Sequence, residues 1–101
     1  MNIKRILKYC FWDSNFTEEE ILNIATKGSF RQKMFLFNRI LENSPNLFSD
    51  IKIFSKEDLE KLLAEYKVPN FKQEYLTKRK NLIEVYFFDK PLLIEELKWQ
   101  V

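Results

Sequence analysis

Histidine is absent from this chain, cysteine and glycine occur once each, and proline occurs three times. Each shortage closes off some chemistry. Without histidine no Ser–His or Cys–His nucleophile can be assembled. A transition-metal site would have to be built from carboxylates alone. The lone Cys10 rules out an intramolecular disulfide and fits a reducing, cytoplasmic setting. A single glycine cannot make a phosphate-cradling loop, which needs several. No apolar run approaches the roughly 20 residues of a membrane-spanning helix. The opening MNIKRILKYC breaks its apolar residues with charges and lacks a small-residue cleavage site, so it does not read as a secretion signal. The only acidic run is Glu18-Glu19-Glu20. Consecutive helical positions diverge by about 100°, so these three cannot converge on one ion. No metal, cofactor or catalytic activity is expected.

What is present is 101 residues, 46% hydrophobic and 32% charged, with a net charge of +2 from 17 basic and 15 acidic side chains. That composition belongs to a folded protein, and the length to one domain spanning residues 1 to 101. The charge is too balanced to point to nucleic acid by itself. Ten phenylalanines are many for so small a core, so some rings are expected at a surface that meets a partner.

The periodicity is helical throughout and predicts an all-α bundle of five or six helices. At its middle stands SFRQKMFLFNRILENS, residues 29 to 44. Phe30, Met34, Phe37 and Leu41 fall in one row with Leu36 and Ile40 beside it, while Phe35 is isolated among Arg31, Arg39 and Glu42. Phe35 therefore marks either a second packed side of this helix or a contact surface. Before it, Ile3, Ile6, Leu7 and Cys10 have helical spacing. Asp13, Ser14 and Asn15 then favour a turn between flanking aromatics. Thr17 with Glu20, and Ser29 with Gln32, match the capping box. Gly28 between them is expected as a left-handed helix C-cap.

After Ser44-Pro45, the segment NLFSDIKIF has no clean period and reads as a packed loop with one helical turn or as a short extended piece. Ser55 with Asp58 opens another helix, with Leu59, Leu62, Leu63 and Tyr66 as its stripe. A long helix from Phe71 to about Phe88, capped by Asn70, shows two apolar rows: Phe71, Tyr75, Leu82, Val85 and Tyr86 in one, Leu76, Ile83 and Phe87 in the other. Arg79 projects between them. An arginine there needs an internal ion pair or a carbonyl clamp, and Asp13 is the expected ionic partner. The last ten residues, with Trp99, form a short helix or an extended tail.

Several phrases together resemble a family of small uncharacterised bacterial proteins: Phe11-Trp12-Asp13, then Phe37-Asn38-Arg39-Ile40-Leu41-Glu42, then Leu59 to Tyr66, then Arg79-Lys80-Asn81-Leu82. Some members are encoded beside nucleotidyltransferase-type toxins of abortive-infection systems. The resemblance implies an antitoxin or accessory role, and no established activity carries over from it. Arg39 stands where that family has its arginine. The chain carries Asn43-Ser44 where the family pattern leads one to expect a glycine.

The leading expectation is thus a non-catalytic protein–protein interaction module, with Phe35, Arg39 and Trp99 as partner or self-association contacts. The alternative is a small DNA-binding regulator that uses the basic edge Lys72, Lys78 and Lys80. Residues 55 to 82 place a helix, a turn and a basic helix in the required order. However, Tyr66-Lys67-Val68-Pro69 stands where such a motif turns on glycine, and Glu74 would face phosphates.

Overall fold

Short-range hydrogen bonding at the predicted cap positions starts three of the helices where the sequence places them. A computed structural model of the chain describes residues 3 to 90. Among these there are six α-helices and no strand: α1 Ile3–Cys10, α2 Glu18–Lys27, α3 Phe30–Asn43, α4 Leu47–Asp50, α5 Lys56–Glu65 and α6 Gln73–Phe88, with a 3-10 turn, Ile51–Ile53, between α4 and α5. Thr17 and Glu20 form a reciprocal capping box, as do Ser29 and Gln32. The Ser55 hydroxyl accepts the Asp58 amide at 3.1 Å. Each such bond satisfies an amide that the first turn of a helix would leave bare. Residues 47 to 53 are helical, so of the two conformations considered for NLFSDIKIF the extended one does not occur.

The α3 helix packs against all five of the others. Leu36, Phe37, Ile40 and Leu41 are its buried residues, and they meet Ile6 and Cys10 of α1, Ile21 and Ala25 of α2, Ile51 of the 3-10 turn, Leu62 of α5 and Leu76 and Ile83 of α6 in one core. Phe30, expected at the head of the central row, is instead exposed. It is the first residue of α3, beyond the reach of the neighbouring helices' buried faces. On α6 the Leu76–Ile83 row enters the core, whereas Phe71, Tyr75 and Tyr86 of the other row lie outside. That helix begins at Gln73 rather than Phe71. Lys72, not Asn70, is its N-cap, in the left-handed region at φ 54° and without a side-chain cap bond.

Gly28 also departs from expectation. Its φ of −67° and ψ of 163° are ordinary extended values, so left-handed backbone is not its purpose. Space is. A Cβ at this position would meet the Ile24 carbonyl oxygen at 2.6 Å, and that atom is backbone that cannot swing aside.

The end of α3 is closed by its neighbours. The last carbonyls of a helix have no partner within it and form the negative end of its dipole. No basic residue stands in the last turn of α3. The cation comes from α6: Arg79 donates from Nε to the Leu41 carbonyl at 2.6 Å and from Nη2 to the Ser44 carbonyl at 2.7 Å. Tyr75, whose ring lies 5.1 Å from the Arg79 guanidinium carbon, reaches the Glu42 carbonyl at 3.4 Å. Arg79 therefore forms the carbonyl clamp, and its expected pairing with Asp13 does not occur, because Asp13 is held by Arg39. Ser44 continues the network, its hydroxyl donating to the fully buried Asp50 carboxylate at 2.7 Å. Arg5 of α1 places Nε 3.2 Å from each Asp50 oxygen and adds a bond from Nη2.

Trp99 and the conformation expected for the last ten residues lie outside the described residues. Among those described, no helix is long and apolar enough to cross a membrane.

Two substitutions check this account. Gly28→Ala is expected to destabilise the fold by about 1–3 kcal/mol through the forced contact with Ile24, where an unstrained Gly→Ala change would stabilise it. Arg79→Met is expected to cost about 2–4 kcal/mol by stripping two carbonyls of a charged donor. Arg79→Lys should recover only part, since one ammonium lacks the planar fork that spans both. Urea unfolding followed by helical circular dichroism measures all three.

Candidate functional site

The connector from α1 to α2 is too short to carry its aromatic residues away from α3, so they collect on its flank. Phe11 is buried, and its ring meets Phe16 edge-on at 5.3 Å and Phe35 at 5.8 Å. Phe16 and Phe35 stand 6.4 Å apart. One turn beyond Phe35 on α3, Arg39 lays its guanidinium 5.4 Å from the centre of Phe11, 5.6 Å from Phe35 and 5.9 Å from Trp12. Its Nη2 donates to the Asp13 carboxylate at 3.3 Å, and that bond holds the Asp13 carboxyl below the usual carboxylate range. Cation–π attraction and the ion pair act on one guanidinium and hold the connector against α3.

Trp12 is the outer member of the group. Its neighbour Phe11 is fixed in the core, yet Trp12 itself is 63% exposed, and Phe35 is 41% exposed on the same flank. Trp12 forms part of the wall of a concavity of about 450 Å³, together with the apolar Leu7, Phe11 and Phe16 and the charged Lys4, Lys8 and Glu18. A large ring exposed this far, in the wall of a hollow that is part apolar and part charged, is the kind of residue on which interface hot spots are built.

The residues singled out from sequence therefore divide. Phe35 and Arg39 come together, but Arg39 is engaged internally, with its positive charge met by Asp13 and three rings. The α3 helix is packed on several sides, as the first reading of Phe35 required, and the ring packs on Phe11 while staying 41% exposed. Trp12 was not among the predicted contacts. No local signal separates Trp12 from the buried Phe11, since consecutive side chains such as Leu36-Phe37 and Ile40-Leu41 do enter one core.

The basic edge of α6 is divided by acids. Lys78 Nζ is 3.5 Å from Glu74 and Lys80 Nζ is 3.3 Å from Glu84, each one helical turn away, while Lys72 is exposed. A second aromatic group lies at the other end of α6, where Tyr86 stacks on Phe48 at 4.7 Å and meets Phe87 edge-on at 4.8 Å. Cys10 is buried, and burial, with the nearby Asp50 charge adding to it, pushes its thiol up to about 12. Among the described residues no cluster of three or more cysteine or acidic side chains is placed to hold a metal ion.

The Asp13–Arg39 pair makes a pH-dependent contribution. Because Asp13 has a lowered pKa in the folded chain, its contribution is complete above the unfolded value of about 3.9 and is lost as pH falls through the folded value. Wild type is therefore expected to exceed Asp13→Asn in stability at neutral pH, and the gap should close on acidification; unfolding curves collected from pH 7 down to pH 2 test this.

Compared with known proteins, the chain matches no family model, no curated protein sequence and no solved structure.

Proposed function

We propose that this chain is a non-catalytic, cytoplasmic protein–protein interaction module, the antitoxin-like or regulatory partner of a toxin, and that it engages that partner through the flank carrying Trp12 and Phe35. The exposure of Trp12 carries the reading. An indole left in water beside the rings that fix its backbone gives up a burial gain that a partner can recover without first ordering a loop. Arg39 acts here as the support beneath the surface rather than as the contact itself.

Three further features favour this reading over nucleic-acid binding. Lys78 and Lys80 each have a carboxylate close by, which leaves less uncompensated charge for phosphates. The aromatic flank lies on the connector and α3, away from the edge that a groove-reading helix would use. The phrases that resemble the small bacterial family, Phe11-Trp12-Asp13 and the segment around Arg39, contribute to this same flank.

The proteins encoded by the genes flanking this one are the partners to test. Calorimetric titration is expected to show binding to one of them. Trp12→Ala should weaken it by about 2 kcal/mol or more, the scale of an interface hot spot, with Lys78→Ala nearly neutral. Unchanged affinity in Trp12→Ala and Phe35→Ala together, or steeply salt-dependent binding to nonspecific duplex DNA, would overturn the assignment.

A further inference from the structure

The flank around Trp12 holds more than an exposed ring. It has a projection, Trp12, which is also one wall of a hollow of about 450 Å³ whose other apolar lining comes from Leu7, Phe11 and Phe16. The lining of that hollow also carries charges of both signs: Lys4 and Lys8, one turn apart on α1, and Glu18 in the first turn of α2. None of the three has an ion-pair partner among the described residues; Lys8 rests only over the Tyr9 ring. A surface built for a foreign partner of one charge would carry the opposite charge along its lining. This one carries both halves of a match.

A surface containing a knob, a socket, a cation and an anion satisfies the condition for a two-fold interface. In such an interface the same patch faces itself, and every contact from one residue to a second is repeated in reverse. We infer that the occupant of this hollow in the isolated protein is a second copy of the chain, in a symmetric dimer where Trp12 of each copy enters the hollow of the other and Lys4 and Lys8 of each face Glu18 of the other. The inference rests on the reading of the Trp12 flank as an interaction surface and names what covers it when no other partner is present. A single patch falls short of the extensive interface of an obligate dimer, so the association is reversible. A toxin that uses the same flank competes with the second copy.

The full-length chain can be followed by sedimentation velocity from low micromolar to near millimolar concentration, with helicity checked for each variant. Wild type is expected to pass from monomer to dimer across this range. Trp12→Ala, Lys8→Glu and Glu18→Lys should each weaken the dimer at least tenfold without loss of helix, since all three side chains are exposed. Mixing Lys8→Glu with Glu18→Lys is the decisive arm. In a symmetric interface the mixed pair has opposite charges at both of its contacts between positions 8 and 18, whereas each variant alone has like charges at both, so a mixed dimer should form more tightly than either variant alone.

A wild type that stays monomeric throughout, a dimer indifferent to all three substitutions, or a mixture no tighter than its components would each overturn the inference. The reading of the flank as a partner surface fails separately, when Trp12→Ala and Phe35→Ala leave binding to the flanking-gene products unchanged. A monomeric wild type that still loses that binding on Trp12→Ala removes the dimer and keeps the partner.

Discussion

The fold depends on how one helix end is closed. The α3 helix lies among all the others, so its C-terminus sits in the protein rather than in water, and its last carbonyls need donors from elsewhere in the chain. Arg79 and Tyr75 arrive from α6 and supply them, while Ser44, the residue that ends the helix, passes the connection to Asp50 and through it to Arg5 on α1. Segments from the start, middle and end of the described chain are tied at this junction. The cost of desolvating two guanidinium groups and a carboxylate is offset because each has bonds aimed at it. That makes the junction specific: a slid or rotated α6 would leave carbonyls and charges stranded together.

The capping residues and the inner stripes could be read ahead of the structure because they are local. Thr17 and Glu20, Ser29 and Gln32, and Ser55 and Asp58 are three residues apart, and their bonds close wherever the chain begins to wind. The stripe Leu59, Leu62, Leu63 and Tyr66 is equally self-contained. Choices between long-range alternatives were less accessible. Arg79 plainly needed a partner, but sequence cannot distinguish a carboxylate from a pair of carbonyls brought up by folding. Asp50 carried the same signal within the apolar NLFSDIKIF and could have been matched to a cation by the same argument. On α6 two apolar rows competed for one core, and only the packing of α5 and α3 decides which faces inward.

The aromatic residues divide accordingly. Phe11 and Phe37 are core residues, fixed by their neighbours on several elements. Trp12, Phe35 and Tyr86 form an outer layer that leans on the first and keeps one face in water. The outer layer adds little to the closure of the fold, so it is free to serve recognition. Arg39 joins the two layers, since its cation touches an inner ring and two outer ones while its charge is balanced by Asp13.

The enclosed thiol of Cys10 has a consequence for the chemistry the chain can undergo in oxidising conditions. Thiolate is the form that attacks peroxides and other sulfur atoms, and with its proton held up to about pH 12 this cysteine offers almost none of it at neutral pH. Cys10 is also fully buried, so in the folded molecule oxidants and glutathione do not reach its sulfur. A sulfur–sulfur link between copies would first require the fold to open around Cys10.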